Sequence, residues 1–285
     1  MTDSEIRACG ECAGLALDPG ADGPEHEGRP VQCLRVAPGT APALEAALAE
    51  VPAGCGRVVA RGADADSGQV VLVLERGQPL RGGAVAAEGP GSLVALGERA
   101  AEWQDRHTAG ALPAGDGYRR GVLQQQMRER ADAIAASLDA ASRAILDAEL
   151  HHQGLYRFED LPLAGSYWQS VRVSPEGAGL ADLVAPPAPV PAFWQLARIA
   201  LAVAVDDTGQ PDAERYRTLL SGFNGRRPLV AIERGAAPTM LRLAALDDWL
   251  GKLEAGAGGT EQRDRLAALQ AEAARLQGVW VRAAA

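Results

Sequence analysis

Three cysteines and one histidine in the first 33 residues form the most specific chemical pattern in the sequence. Two residues separate Cys9 from Cys12, a spacing at which two thiolates can bind one metal ion or form a redox disulfide. His26 and Cys33 would complete the four ligands of a tetrahedral zinc ion, and Cys55 is an equally good fourth ligand. Cys9, Cys12, His26 and Cys33 are therefore candidate ligands of a structural zinc ion, with a redox pair or uncoordinated thiols as the alternatives.

The other motifs with catalytic potential are incomplete. Glu149 and His152 have the Glu-x-x-His spacing of di-iron carboxylate bundles, but such sites need a second pair, which the sequence lacks. We interpret this pair as a solvated helix end, where a cationic histidine suits the helix dipole. No serine lies in a Gly-x-Ser-x-Gly elbow, and no His-Glu-x-x-His motif occurs. Arg226 and Arg227, beside Phe223, are the best candidates for contact with a small anion.

Composition restricts the partners. The chain has 285 residues and a net charge of −9, which disfavours a nucleic-acid backbone or an anionic membrane surface as the main partner. Lys252 is the single lysine, and this bias towards arginine is typical of a GC-rich bacterial or phage gene. The longest apolar stretch, Ile199–Val205, is far short of the roughly 20 residues that span a bilayer. We expect a cytoplasmic protein without membrane insertion.

The hydrophobic periodicity predicts an α+β fold that is predominantly helical. Residues 1–30 are expected to form a flexible cysteine-containing tail, and residues 31–89 a small β-α-β-β module. A helical hairpin is predicted for residues 90–153, a short β segment for 154–185 and a mostly helical region for 186–285. The proline-rich stretch at 186–191 is the strongest candidate boundary.

Within this plan, several elements have clear patterns. Val31–Val36 reads as a strand, and Arg57–Arg61 with Gln69–Glu75 reads as a hairpin. Towards the C-terminus, a short strand is predicted at Leu229–Glu233, followed by a helix from Thr239 to Glu254. A last helix is predicted to run from Thr260 to about Gln277.

One long helix from Tyr118 to Gln153 is the most distinctive predicted element. It would be roughly 50 Å long, with apolar residues at heptad spacing. The apolar face formed by these residues must be buried against another surface, so we expect it to bind a protein partner or a second copy of the chain. The residues assigned to this interface are Met127, Ile134, Leu138 and Ile145.

These patterns favour a non-enzymatic assembly, scaffold or chaperone-like accessory protein that acts through helical protein–protein interfaces in a bacterial or phage complex. The first alternative is a small-molecule enzyme with a site between the α/β module and the helical region. A cluster of aromatic residues near that boundary would suit a pocket, although aromatic residues also serve as core anchors. They are Tyr156, Phe158, Tyr167, Trp168, Phe193 and Trp194. A second alternative is a metal-binding accessory protein that uses Cys9 and Cys12.

Overall fold

The computed structural model of the chain describes all residues except 21–22, 50, 52–54, 81–84, 86–91, 107–119, 158–159, 166–167, 176, 185–189, 207–208 and 284–285. Phe158, Tyr167 and most of the proline-rich stretch at 186–191 therefore lie outside the described residues.

The N-terminal part is an antiparallel sheet flanked by two helices. In chain order its elements are α1 (Asp3–Ala13), β1 (Asp18–Gly20), β2 (Gly23–His26), β3 (Arg29–Val36), α2 (Ala41–Leu48), β4 (Val58–Ala63) and β5 (Val70–Glu75). The strand order is β1-β2-β3-β5-β4. Strand β5 is buried on both faces, which explains its continuous run of Val and Leu. The predicted strand at Val31–Val36 and the predicted hairpin correspond to β3 and to β4 with β5.

The first 30 residues differ from the predicted flexible tail. Helix α1 begins with a capping box. The Thr2 hydroxyl accepts a hydrogen bond from the Glu5 amide, and the Glu5 carboxylate accepts one from the Thr2 amide. Its buried side chains Ile6 and Cys9 pack in a small cluster with Val71 and Val73 of β5. The sheet supplies the apolar partner surface that the first 30 residues lack by themselves, so this segment is ordered against the outer face of the sheet.

A second group of strands follows the N-terminal sheet. It contains β6 (Gln78–Pro79), β7 (Leu163–Ala164), β8 (Trp168–Ser174), β9 (Gly177–Leu183) and β10 (Val190–Pro191). Strands β8 and β9 form a hairpin, and β6 pairs with β8 in the order β6-β8-β9. Only Arg76 and Gly77 separate β5 from β6, so the chain passes directly from the first sheet to the second.

The other described elements are helices, which gives the predominantly helical α+β fold that the sequence predicts. They are α3 (Leu93–Arg106), α4 (Arg120–Ile134), α5 (Ala140–Gln153), α6 (Phe193–Val203), α7 (Ala213–Arg226), α8 (Ala231–Glu254), α9 (Thr260–Ala271) and α10 (Ala273–Ala283). Their apolar faces and one face of the N-terminal sheet share a single core, in which Phe193 and Trp249 are almost completely buried. Within the described residues, no helix is long and apolar enough to cross a membrane.

Helices α3 and α7 approach each other closely at two glycines. A Cβ atom added at Gly97 would lie 2.2 Å from the carbonyl oxygen of Leu219, and one added at Gly222 would lie 2.1 Å from that of Val94. Only a residue without a side chain fits at these two positions.

The single long helix predicted for Tyr118–Gln153 is wrong. The described part of this segment consists of α4, a 3-10 turn at Ala135–Ser137 and α5, which is capped by Asp139 accepting a hydrogen bond from the Ser142 amide. An aspartate favours the N-cap position, because its side chain can accept a hydrogen bond from an amide in the first turn of the helix that follows. Of the predicted partner-interface residues, Met127 is buried in the main core, and the other three are partly buried against that core. These are Ile134, Leu138 and Ile145.

The strand predicted at Leu229–Glu233 is also wrong, because helix α8 begins at Ala231. Glu233 is fully buried and accepts a hydrogen bond from the Val230 amide, which caps the helix, while Arg227 donates a second bond to it. The β-branched residues at this position are therefore part of a helix start. The predicted last helix is divided at Glu272 into α9 and α10.

Candidate functional site

The connection between the two sheets places a charged cluster at their junction. Asp182 lies near the end of β9, and its φ angle is +58°, a left-handed conformation that a non-glycine residue adopts at a cost. Arg76 follows β5 directly, and Arg172 and Ser170 lie on β8. We call Arg76, Ser170, Arg172 and Asp182 the Asp182 cluster. Residues from three separate stretches of the chain meet in it.

Both carboxylate oxygens of Asp182 have partners. Arg76 donates from Nε to Oδ1, and Ser170 donates its hydroxyl to Oδ2 at 2.5 Å. The Nε atom of Arg172 lies 3.6 Å from Oδ2. The side chains of Arg76, Arg172 and Asp182 are 20%, 13% and 16% exposed, so the cluster is mostly but not completely removed from solvent. Burial opposes the charge of Asp182, but the bonds from Arg76 and Ser170 and the nearby guanidinium charges hold its pKa below the ordinary value.

The neighbouring residues join the N-terminal sheet to the β8–β9 hairpin. The side-chain amide of Gln32 on β3 donates to the carbonyl of Leu183 at 2.7 Å and accepts from its amide at 2.9 Å. A third arginine, Arg99 of α3, donates to the carbonyl of Ala178 at 3.1 Å. Gly23 of β2 also lies close to Arg76, since a Cβ atom there would be 3.4 Å from a guanidinium nitrogen.

Cys55 lies in the same junction, and its surroundings indicate a packing role. A Cβ atom at Gly77 would lie 2.5 Å from the Cys55 sulfur, and one at Gly179 would also contact this side chain. Burial raises the pKa of Cys55 to about 11, so the thiol is protonated at neutral pH. Such a thiol is a poor nucleophile and a poor metal ligand.

The Asp182 cluster has the chemistry of an anion site. It contains two guanidinium groups and one carboxylate, and Arg99 of α3 donates to the backbone of β9 at Ala178. Arginine presents planar N–H pairs that match phosphate and carboxylate oxygens. An arginine-rich cluster of this kind can bind an anionic group.

The four predicted zinc ligands are not assembled into one site. Cys9 and Cys33 share a hydrogen bond between their thiols, which lowers the pKa of Cys9 and raises that of Cys33. Cys12 lies on α1 in the same small cluster, whereas a ring nitrogen of His26 bonds the Ala16 carbonyl at 3.2 Å. Among the described residues, no group of three or more His, Cys, Asp or Glu side chains is placed to hold a metal ion.

The Glu149–His152 pair is also different from its predicted role. Glu149 is fully buried and not solvated, and it accepts two hydrogen bonds from Arg242, at 2.9 and 2.7 Å. Gln153 and Gln270 donate to it as well. We call Glu149, Gln153, Arg242 and Gln270 the Glu149 cluster. It joins α5, α8 and α9 and is part of the helical framework.

The other candidates from the sequence also have structural partners. Arg226 pairs with Glu102 and Arg227 with the buried Glu233, so carboxylates of the chain occupy the predicted anion contact. Of the predicted aromatic cluster, three residues belong to the core and Tyr156 packs against it. They are Trp168, Phe193 and Trp194, and the ring centre of Trp168 lies 5.1 Å from that of Trp103.

A polar cavity of about 340 Å³ opens on the helical region, between α4, α6 and α8. Its lining has charges of both signs. Arg130 and Arg198 both bond Asp247, and Asp248 and Lys252 lie beside them. A second cavity, of about 270 Å³, lies next to Cys9 and Cys33.

Sequence reasoning missed the Asp182 cluster. A usable signal was present, because Asp182 stands inside the run Gly-Leu-Ala-Asp-Leu, and a single charge in an otherwise apolar strand needs a partner. The partner, however, is Arg76, which is 106 positions away in the chain. No local pattern connects the two residues.

The fold of the chain is similar to that of solved structures. A solved aminoglycoside phosphotransferase from Alicyclobacillus acidocaldarius matches with a TM-score of 0.55 over 95% of this chain and 92% of that chain, at 13% sequence identity. The GDP complex of wild-type aminoglycoside 2'-phosphotransferase-IIIa covers 91% of this chain and 93% of its own, with a TM-score of 0.47 and 12% identity. No protein-family model matches the sequence.

The match to the Alicyclobacillus structure shows the fold of the chain. It corrects the main functional prediction: a non-enzymatic assembly, scaffold or chaperone-like protein is contradicted by a phosphotransferase fold. The alternative of a small-molecule enzyme agrees better with this fold, and that alternative placed the site between the α/β module and the helical region.

Proposed function

We propose that the protein is a small-molecule enzyme of the phosphotransferase type, which binds a nucleotide at the junction of the N-terminal sheet and the β8–β9 hairpin. The single observation that carries the proposal is the Asp182 cluster, a mostly buried arginine-rich group at the place where the two parts meet. The fold supports it, since a solved structure of similar fold is an aminoglycoside phosphotransferase.

The residues present fit the phosphates of a nucleotide. Arg76 and Arg172 are held by Asp182, so their guanidinium groups are oriented before a ligand arrives, which lowers the entropy cost of binding. A bound nucleoside triphosphate would supply a transferable phosphoryl group. The role of the two arginines is to bind the phosphate oxygens and to stabilise their negative charge.

The acceptor is proposed to be a polar, charged small molecule in the cavity of the helical region. This cavity offers carboxylates and cationic groups together, through Asp248 and Lys252 and through Arg198. Arg198 lies on α6, which packs against β8 and thus connects the cavity to the strand that bears Arg172. A molecule with amino and hydroxyl groups, or with an amino and a carboxyl group, fits such a lining.

The test uses the full chain and isothermal titration calorimetry with ATP and with GTP, followed by a radiolabel transfer assay over a panel of amino alcohols, amino sugars and amino acids. We expect saturable binding of at least one nucleotide and transfer to at least one acceptor. Arg76→Gln should weaken nucleotide binding, whereas the matched control Arg61→Gln, an exposed arginine paired with Glu45, should not. If neither nucleotide binds at millimolar concentration, the proposal is overturned.

A further inference from the structure

Two thiols meet between helix α1 and the N-terminal sheet. Cys9 of α1 is 1% exposed, and Cys33 of β3 is half-buried. Both thiols are free, and a hydrogen bond joins them, so a small shift brings the sulfur atoms to the roughly 2 Å of a disulfide bond. Cys12, the local neighbour of Cys9 on α1, packs against the small apolar cluster around Cys9. The pair Cys9–Cys33 is therefore formed by the fold, and not by the spacing of cysteines along the chain.

The register of the sheet explains why these two side chains meet. Cys33 lies directly opposite Val73 of β5, and Arg35 lies opposite Val71. Because side chains alternate between the two faces of a strand, these four residues share one face of the sheet. Val71 and Val73 pack with Cys9 in the small cluster beneath α1. Cys33 could leave Cys9 for the other face only if the register of β3 shifted by one residue.

A cavity gives a small molecule access to the pair. It has a volume of about 270 Å³, and its lining includes Cys9, Cys33, Arg35 and the exposed residues Met1 and Glu5. A cavity that can hold water can also hold hydrogen peroxide, which is only slightly larger. An oxidant can thus reach two thiols that are otherwise shielded by α1.

The surroundings favour Cys9 as the thiol that reacts first. The hydrogen bond with Cys33 lowers the pKa of Cys9 and the guanidinium of Arg35 acts in the same direction, whereas burial opposes both. The same hydrogen bond, together with burial, raises the pKa of Cys33, which keeps its proton. The thiolate is the nucleophile in thiol oxidation. An attacking sulfur and a resolving thiol therefore lie side by side.

We propose that Cys9 and Cys33 form a reversible disulfide when the protein meets a peroxide, so that this pair is an oxidation site that links α1 to β3. In the first step the Cys9 thiolate attacks one peroxide oxygen and the O–O bond breaks. Cys9 becomes a sulfenic acid, and the departing hydroxide takes up a proton to form water. In the second step the sulfur of Cys33 attacks that of Cys9, so the S–S bond forms and the S–O bond breaks. The second hydroxide leaves as water with the proton of Cys33, and one peroxide has been reduced to two water molecules while two thiols have been oxidised to one disulfide.

The disulfide would stabilise the N-terminal segment locally. The cluster that holds α1 is separate from the main core, and its other large apolar members are Ile6, Leu17 and Val31. A helix held by so few apolar contacts opens at a lower free-energy cost than the main core does. A covalent link closes the loop between residues 9 and 33 and disfavours the open state. Oxidation should therefore slow amide hydrogen exchange in α1 by about tenfold or more and leave exchange in α8 unchanged.

The test treats the reduced full chain with a small excess of hydrogen peroxide, blocks the remaining thiols with N-ethylmaleimide and locates disulfides by mass spectrometry. Cleavage after glutamate places Cys9, Cys12 and Cys33 in three different peptides, residues 6–11, 12–25 and 28–45. The expected product is peptide 6–11 linked to peptide 28–45, released by dithiothreitol, together with slower exchange in α1. In Cys33→Ser, the sulfenic acid of Cys9 should accumulate and react with dimedone.

Cys12→Ser is the matched control, because it removes a thiol from the same helix, and it should form the same link as the natural sequence. A link between peptides 6–11 and 12–25, a link between two chains, or an unmodified Cys9 after the other thiols have reacted would overturn the proposal. Thermal melts show whether each reduced variant is folded. If Cys33→Ser does not fold, the peptide map of the natural sequence and of Cys12→Ser decides. The test uses no nucleotide, so its outcome is independent of the proposed function.

Discussion

The Asp182 cluster and the Glu149 cluster both pair a carboxylate with arginine but differ in composition and exposure. In the helical region, Glu149 is fully buried and its oxygens accept from Arg242, Gln153 and Gln270, so one carboxylate meets one arginine. At the junction of the two sheets, Asp182 meets two arginines and is 16% exposed. The first carboxylate is completely removed from solvent, whereas the second is partly exposed.

This difference distinguishes an ion pair that stabilises the fold from one that orients the residues of a binding site. A closed and buried pair costs stability when it is broken, because an uncompensated charge remains in the interior. A partly exposed group contributes less to stability, because solvent screens its charges, and its side chains can be reached by a ligand. Variants of the Glu149 cluster should therefore reduce stability more than ligand binding. Variants of the Asp182 cluster should reduce ligand binding more than stability.

The largest expected effect is the loss of stability in Glu149→Gln. The substitution leaves Arg242 charged and buried without its carboxylate, which should lower the free energy of unfolding by about 3–5 kcal/mol. Urea denaturation measures this change. Glu261→Gln is the control, since the Glu261 side chain of the pair with Arg265 is 71% exposed, and it should leave the midpoint nearly unchanged. A similar small effect for both variants would remove the contrast between the two regions.

The next effect should come from Gly222→Ala, which also concerns only the helical framework. A methyl group at this position would meet the backbone of Val94, so α3 and α7 must separate, at a cost of about 1–3 kcal/mol. Gly225→Ala, on the same helix and facing open space, is the matched control and should be neutral or slightly stabilising. ATP affinity of the folded Gly222→Ala protein should equal that of the natural sequence.

Arg76→Gln should reduce the affinity for ATP more than it reduces stability. Its ion pair with Asp182 is partly exposed, and after allowance for solvent screening its loss should cost about 1 kcal/mol or less. Affinity for ATP should fall by about tenfold or more, because a charge-assisted contact to phosphate is lost. Calorimetry and urea denaturation on the same samples give both numbers. A large loss of stability with unchanged affinity would place Arg76 among the framework residues.

The smallest effect is a pH dependence of the stability that Asp182 contributes. Because its pKa in the folded protein lies below the ordinary value of 3.8, its contribution is complete above that pH and is lost as the pH falls below it. The difference in unfolding free energy between the natural sequence and Asp182→Asn should therefore be constant near neutrality and shrink in acid. A difference that grows on acidification would contradict the ionised state of Asp182.

Local pattern was sufficient for the elements with strong periodicity. Strand β3 and the β4–β5 hairpin follow from their runs of β-branched residues and leucine and from turn residues such as Gly68. The helix at the start of the chain did not follow, since the apolar surface that orders Ile6 and Cys9 belongs to β5, more than sixty residues later. The break at Asp139 was hidden by a heptad-like spacing that continues across it.

The candidate site was less accessible to sequence reasoning than the fold. The alternative drawn from the sequence placed a site between the α/β module and the helical region, whereas the Asp182 cluster lies between the N-terminal sheet and the β8–β9 hairpin. Its residues depend on contacts between Arg76 and β8–β9 that form only after the two sheets have joined. Charged residues that lie so far apart in the chain form no periodic pattern in the sequence. The spacing of Cys9 and Cys12, by contrast, is visible in the sequence itself.

The paired hydrogen bonds of Gln32 have a mechanical consequence. A side-chain amide that donates to and accepts from the same peptide unit imitates one rung of a ladder between neighbouring strands, here linking β3 to Leu183. Any hinge movement that separates the two sheets must break both bonds, at a cost of about 1–3 kcal/mol. Since Leu183 is adjacent to Asp182, such a movement would also pull on the carboxylate that aligns the arginines. Entry of a ligand and alignment of its binding groups would then be coupled through one glutamine.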